Sequence, residues 1–291
     1  MFAIVGPTAA GKTALALRVA ESLDAEIVSC DSMQIYRGFD IGTAKPTAEE
    51  RARVRHHLVD VAEAGELYSA ARYVEEAERA IADIRARGKR VVLVGGTGLY
   101  LRALRFGLVD APARDEALRR ELYDEEARRP GILHLKLRAV DPLSAERLPP
   151  GDLQRIVRAL EVHRLSGRPL GELHAEHGHA PRHEVRVMVL DPPPDALLQR
   201  IAVRVEIMLA GGLIDETRRL ADRHGRQARP LHSVGYHEVL QYLDGGLGFP
   251  QLQPAIVAAT RRYARRQRVW FKKEPEARIF ADAERLEAAI S

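Results

Sequence analysis

The 291-residue sequence predicts an α/β protein, a parallel sheet flanked by helices with a helical insertion domain set between two of its strands. Apolar runs of strand length alternate with longer stretches of helical period, the pattern of βαβ units. Each strand-like run gives way within a few residues to Gly, Asp or Pro, the punctuation of strand ends. Between Pro112 and His183 the strand-like runs vanish and charged helical text replaces them, after which the strand pattern resumes. Open parallel sheets bind ligands at the carboxyl ends of their strands, so each of those ends is a place to look for a site.

Phe2 to Val5 is the first predicted strand, and Gly6-Pro7-Thr8-Ala9-Ala10-Gly11-Lys12-Thr13 follows it directly. A helix carrying Leu15, Leu17, Val19 and Leu23 comes next. The eight residues fit the phosphate-binding pattern G-x-x-x-x-G-K-[ST] in full, between a strand and a helix, which makes the core P-loop-type. Glycines there let successive backbone N–H groups converge on phosphate oxygens, and the helix N-terminus adds partial positive charge. Lys12 neutralises, and the Thr13 hydroxyl suits a magnesium ligand. A ligand bearing a diphosphate or triphosphate is expected, ATP among the possibilities.

Glu26 to Cys30 is the second strand and ends at Asp31, which on its own is a magnesium partner, a general base or a helix N-cap. Arg90 to Val94 is the third. It ends in Gly95-Gly96-Thr97-Gly98, where a conventional nucleotide hydrolase carries an Asp that steadies magnesium. Val185 to Leu190 is the fourth. Predicted helices in the insertion are Glu116 to Arg129, Gly131 to Val140 and Asp152 to Ser166. Beyond Asp191 they are Asp195 to Leu209, Ile214 to Arg223, Gly235 to Leu243 and Pro254 to Lys272. The domains are therefore a core of 1–111 and 184–291 around an insertion of 112–183.

Charge gives no global argument for a nucleic-acid partner, because 45 basic and 41 acidic side chains leave only +4. Its distribution does more. Arg261 to Lys273 holds seven basic residues and no acid, with Tyr263, Trp270 and Phe271 interleaved. On a helix Arg261, Arg265, Arg268 and Lys272 share a face that suits phosphates, with rings to stack on unpaired bases, or that is simply solvated. Cys30 is the one cysteine, which excludes a disulfide framework and cysteine-built zinc sites and fits a reducing cytoplasm. The N-terminus has no basic leader, and no run reaches the roughly 18 apolar residues a membrane helix needs. His174, His177, His179 and His183 invite a metal reading, but they are expected in a Gly- and Pro-containing loop with no carboxylate or cysteine to complete a site. His56 and His57 are expected to orient a strand end.

These residues resemble the tRNA dimethylallyltransferase family. The resemblance lies in Gly6 to Thr13, in Asp31-Ser32-Met33-Gln34-Ile35-Tyr36-Arg37-Gly38 with Asp40-Ile41-Gly42-Thr43-Ala44-Lys45-Pro46, in His56-His57-Leu58-Val59-Asp60 and in Gly95-Gly96-Thr97-Gly98-Leu99-Tyr100-Leu101. It continues through Asp152 to Arg155, Arg158 to Val162, Met208-Leu209 with Gly212-Leu213, Gly235-Tyr236, and Thr260 to Gln267 with Trp270-Phe271. The run from Asp31 to Pro46 is far more specific than the phosphate loop.

The resemblance implies transfer of a dimethylallyl group from dimethylallyl diphosphate to the exocyclic N6 amine of the adenosine just 3′ of the anticodon, position 37 of tRNA. It implies that Gly6, Pro7, Thr8, Ala9, Ala10, Gly11, Lys12 and Thr13 hold a diphosphate leaving group, with Mg2+ at Thr13, so the missing hydrolase carboxylate is no defect. It makes Asp31 the base and Thr97 a catalytic partner near the diphosphate. Arg200 and Arg204, one helical turn apart, match a diphosphate-facing helix. The implied tRNA contacts are Asp31, Ser32, Met33, Gln34, Thr97, Arg119, Gln154, Arg155, Ile156, Val157, Arg158, Ser233, Val234, Gly235, Tyr236, His237, Arg262, Arg265, Arg266, Gln267 and Trp270. The expected partners are the anticodon stem-loop of tRNA and the donor, with no membrane, for a cytoplasmic monomer. A P-loop kinase of a nucleoside or small metabolite is the rival activity. An RNA-binding protein with a regulatory nucleotide site is the rival from another class.

Overall fold

The structure is a computed structural model describing residues 1–178 and 180–290. In chain order it begins β1 (Phe2–Val5), α1 (Lys12–Ser22), β2 (Ala25–Cys30), α2 (Ala48–Arg53), β3 (His56–His57), α3 (Ala70–Ala86), β4 (Arg90–Gly95) and α4 (Gly98–Phe106). The helices α5 (Glu116–Arg128), α6 (Ile132–Val140), α7 (Pro142–Arg147), α8 (Leu153–Ser166) and α9 (Leu170–His177) follow. The remainder is β5 (Arg186–Leu190), α10 (Pro194–Ala210), α11 (Leu213–His224), a 3-10 turn (Arg229–His232), α12 (Tyr236–Leu243), α13 (Phe249–Phe271), β6 (Arg278–Phe280) and α14 (Ala283–Ala288).

Two compact units result, Met1–Arg105 with Arg182–Ser291, and Phe106–Pro181. The first contains one sheet in the order β3-β2-β4-β1-β5-β6, with every neighbouring pair parallel. Its central strands are apolar on both faces because helices cover both, as a parallel sheet requires. Ala3, Ile4, Val5, Val28, Val92 and Leu93 are fully buried. The shared register, Val5 against Gly95 and Val189, brings the ends of β1, β4 and β5 level. The turns after them therefore open on one edge.

The second unit packs Leu122, Leu133, Leu137, Ile156 and Val157 into a small apolar core of its own. Asp115, Asp141 and Asp152 cap α5, α7 and α8 through their side chains, satisfying N–H groups that a helix start leaves unpaired.

The strands predicted from periodicity are present, each within one residue of its expected bounds. The short edge strands β3 and β6 are additions. Residues His174 and His177 lie in the helix α9 and not in the loop expected for them, while His179 lies outside the described residues. The terminal helix begins at Phe249, one turn before the Pro254 at which the sequence reading starts it. Its first turn is stabilised by Pro250 and by Gln251 Oε1, which accepts the Gly248 N–H at 2.7 Å.

Candidate active site and basic terminal helix

Gly11 is the residue before α1 and holds φ at 100°, a left-handed conformation that strains any side-chain-bearing residue. That turn aims the first N–H groups of α1 into the loop, the arrangement that receives phosphate oxygens. Cationic side chains converge on the same loop. Lys12 Nζ donates to Pro7 O at 2.7 Å, Arg200 Nη1 to Ala10 O at 2.9 Å and Arg204 Nη1 to Thr8 Oγ1 at 3.2 Å. The structure thus brings both α10 arginines to the predicted diphosphate site. Burial pulls the Lys12 ammonium down to about 8 from an ordinary 10.5, with Arg204 adding to the effect and Asp31 opposing it. Arg204 is also lowered, by burial. So much crowded positive charge is a site in want of an anion.

The loop forms one end of a cavity of about 360 Å³. Thr13, Asp31 and Arg204 line it together with apolar groups, among them Val205, Met208 and Ile256. A ligand with an anionic head and a small apolar body matches such a lining.

Asp31 divides its two oxygens between two jobs. Oδ1 accepts the N–H groups of Met33 at 2.9 Å and Gln34 at 3.4 Å, closing the turn after β2. Oδ2 has no hydrogen-bond partner among the described residues, and Asp31 lines the cavity. The cap and the base readings are therefore compatible.

Thr97 is tied to the neighbouring turn. Its Oγ1 accepts Ser32 N–H at 2.9 Å and meets Ser32 Oγ at 3.2 Å, while its own N–H donates to Cys30 O at 3.1 Å. It holds the Asp31 turn onto the end of β4. Cys30 is inert, its thiol pushed up to about 12 by burial.

The Asp40–Ala44 segment, another wall, is latched by Glu216. That buried carboxylate accepts the N–H groups of Asp40 at 3.2 Å, Ile41 at 2.9 Å and Gly42 at 3.1 Å, and the Tyr236 hydroxyl at 2.6 Å. Tyr236 is completely buried, which corrects its assignment to tRNA contact. Its neighbours Ser233, Val234 and Gly235 do line the cavity, and His237 is exposed. Ser32, Met33 and Gln34 line it too, and Gln34 Nε2 donates to Thr43 O and Ala44 O at 3.4 and 3.2 Å. His57 Nε2 meets Glu26 at 2.7 Å and His56 Nδ1 meets Val54 O at 2.7 Å, so the pair organises the β3 edge as expected.

On α13, Arg261, Arg262, Arg265 and Arg266 are exposed, and the Arg266 guanidinium lies 5.6 Å from the Tyr263 ring. Burial holds the Tyr263 hydroxyl well above its ordinary range. Trp270 is 36% exposed with the Arg102 guanidinium 5.0 Å from its ring. Other members of this segment face inward. Gln267, Arg268 and Phe271 are corrections: Phe271 is in the core, Arg268 pairs with Asp191 at 2.6 Å, and Gln267 braces the phosphate loop.

Within the insertion, Gln154 and Arg155 are exposed, Arg155 against Asp152 at 2.7 Å. Ile156 and Val157 are fully buried, so their side chains serve packing and not RNA. Arg119 is buried too, and its guanidinium meets Glu161 at 3.3 Å, beside Arg158 on the same carboxylate at 2.8 Å. Glu161 is completely buried and also accepts Asp115 N–H at 2.9 Å; its link to Arg119 and Asp115 was not legible in the sequence because both lie far along the chain. Its occupation of Arg119 removes that arginine from the RNA-contact set.

Comparison with known proteins points one way. A family model described as IPP transferase matches residues 34–274. The tRNA dimethylallyltransferase of Anaeromyxobacter sp. (strain Fw109-5) is 51% identical over 277 residues, covering 94% of this chain and 92% of that protein. The tRNA dimethylallyltransferase of Halorhodospira halophila is 48% identical over 293 residues, covering 99% and 94%. Among solved structures, the tRNA isopentenylpyrophosphate transferase of Bacillus halodurans superposes with a TM-score of 0.73 at 37% identity, over 99% of this chain and 93% of that one. A eukaryotic dimethylallyltransferase acting on tRNA gives a TM-score of 0.80 at 29% identity, over 93% and 69%.

Proposed function

The chain belongs to the IPP transferase family, and from that premise we propose that it transfers a dimethylallyl group from dimethylallyl diphosphate to the N6 amine of adenosine 37 in tRNA. The observation that carries the reading is Asp31, its Oδ2 without a hydrogen-bond partner, lining one cavity with the cationic phosphate loop. The amine nitrogen attacks the allylic carbon as the carbon–oxygen bond to the diphosphate breaks. The bond electrons leave with the diphosphate, and the proton on nitrogen passes to Asp31. An exocyclic adenine amine is a very weak acid, so proton transfer accompanies attack.

Lys12, Arg200, Arg204 and the N–H groups at the start of α1 hold the leaving group and stabilise the charge it gains. The residues present fit magnesium that arrives with the donor. The Thr13 hydroxyl lines the cavity, and magnesium keeps several waters while taking few protein oxygens. No group of three or more His, Cys, Asp or Glu side chains among the described residues makes a resident site. Bound there, the ion supplies further neutralisation of the diphosphate. Exposed Arg262, Arg265 and Arg266 on α13 take RNA phosphates, and Trp270 offers a ring to an unstacked base.

No helix among the described residues is long and apolar enough to cross a membrane. The protein acts in the cytoplasm as a monomer. ATP enters the loop without being turned over.

Nucleoside mass analysis of tRNA incubated with the chain and dimethylallyl diphosphate is the test. A dimethylallyl group on the adenosine 3′ of the anticodon is expected. Phosphoryl transfer from ATP at an ordinary enzymatic rate of about 1 per second or more, with the allylic donor ignored, would install a kinase in its place.

A further inference from the structure

We infer that Gln267 is a positioning residue through which RNA docked on the outer face of α13 and the diphosphate loop sense each other. The inference rests on the transferase reading above. Gln267 is 6% exposed, and both ends of its amide are used. Oε1 accepts Thr8 N–H at 2.8 Å, and Nε2 donates to Gly96 O at 2.9 Å. The fit is close enough that a Cβ on Gly96 would stand 2.2 Å from Nε2, so a side chain there would displace the Gln267 amide.

One side chain thus clamps the phosphate loop, which follows β1, to the turn that follows β4. That second turn carries Thr97, whose hydroxyl holds the Asp31–Ser32 turn at 2.9 Å. The next residue of the helix extends the clamp to a third strand, since Arg268 pairs at 2.6 Å with Asp191 at the end of β5. β4, β1 and β5 are consecutive in the sheet, so α13 crosses three neighbouring strand ends and is bolted to each. Phe271 in the core and Glu274, fully buried with Arg102 at 3.0 Å, anchor the chain just beyond.

Arg262 and Arg265 project from the solvent side of this same helix, and Arg266, also exposed, stands at the cavity. RNA held there restricts the helix, and the clamp passes the restriction to Thr8 and Gly96. A loop already ordered takes a diphosphate at a smaller entropy cost, so RNA binding tightens diphosphate binding. Diphosphate must then tighten RNA binding by the same factor.

The test uses the full chain, an anticodon stem-loop RNA and inorganic diphosphate, a probe that occupies the loop without reacting. Diphosphate affinity is measured by calorimetry with and without saturating RNA. The unaltered chain is expected to bind diphosphate about fivefold or more tighter when RNA is present. Gln267→Leu should retain RNA affinity but bring that ratio to about one, and raise the donor KM far more than it lowers kcat. Gln267→Glu keeps an acceptor for Thr8 and loses the donor to Gly96, so it should retain part of the ratio; it also serves if the leucine variant does not fold. Arg265→Ala should weaken RNA binding yet keep the ratio once RNA is saturating. A ratio of one in the unaltered chain, or an unchanged ratio in both Gln267 variants, overturns the inference. Failure of the unaltered chain to bind diphosphate or RNA at all would remove the transferase reading, and the inference with it.

Discussion

The strongest quantitative handle on the site is Lys12, whose ammonium is held at about 8 by burial in a crowd of positive charge. A bound diphosphate reverses that environment and returns the ammonium toward its ordinary 10.5 or above. Binding and protonation are therefore linked, and affinity must fall as pH passes the value in the free protein. With the free group at about 8 and the bound group at or above its ordinary value, the expected loss is about twofold at pH 8 and about tenfold at pH 9 relative to pH 7, since one pH unit corresponds to a factor of ten. Calorimetric titration of inorganic diphosphate at each pH reads this directly. Above pH 8, buffers of differing ionisation enthalpy should also reveal close to one proton taken up per ligand. Lys12→Ala should bind diphosphate about 10- to 100-fold more weakly at pH 7, the range of a hydrogen bond to a charged group, and lose the pH dependence. Stability runs the other way. A lysine whose folded-state value is lowered destabilises the folded chain while charged, so the protein without ligand should gain stability from this group as pH rises from about 8 to 10.5, relative to Lys12→Ala. A flat affinity between pH 7 and pH 9 would refute the placement of a buried, depressed lysine against the diphosphate.

Asp31→Asn should leave melting temperature and both affinities near those of the parent, because the amide oxygen can still cap Met33 and Gln34, while single-turnover transfer slows by about 10²- to 10⁴-fold; a near-native rate would return Asp31 to a turn-capping role alone. Replacing Arg265 or Arg266 by Ala should weaken tRNA binding and lower the slope of log affinity against log salt by about 0.7 to 1. An unchanged slope would make that face merely solvated. Glu161→Ala should destabilise the insertion by about 3 to 5 kcal/mol in urea unfolding, since it strands the buried Arg119 guanidinium; a loss within about 0.5 kcal/mol would mean that the pair contributes little.

How much of this was legible in the sequence depended on how local the chemistry is. The phosphate loop is eight consecutive residues between a strand and a helix, so its geometry is written where it is used. Asp31 is similar, a carboxylate at a strand end whose turn closes on the next few N–H groups. β3 has two residues and β6 three, both on sheet edges, and segments that short carry no periodicity to read. Glu216 is satisfied by partners brought together only by the fold, and Glu161, although Arg158 is one turn away, takes Arg119 and Asp115 N–H from a distant part of the chain.

The terminal helix shows where a polar pattern misleads. Read for charge, Arg261 to Lys273 is one basic surface with Arg268 on its face, and the family resemblance adds Gln267 as a tRNA contact. Yet Gln267 stands three residues after buried Ala264 and four before buried Phe271, on the same stripe as Ile256 and Thr260. That 3-4 spacing is the signature of an inward face, and it was present in the sequence. Glutamine and arginine ordinarily meet water, which masks such a stripe. The expectation fails here because the stripe crosses not an apolar sheet face but the carboxyl ends of β1, β4 and β5. Strand ends expose backbone groups, Thr8 N–H and Gly96 O among them, that need partners once covered. A helix laid over the ligand-binding edge of a parallel sheet must therefore carry polar residues on its buried stripe, and such residues are better sought by their spacing than by their hydropathy.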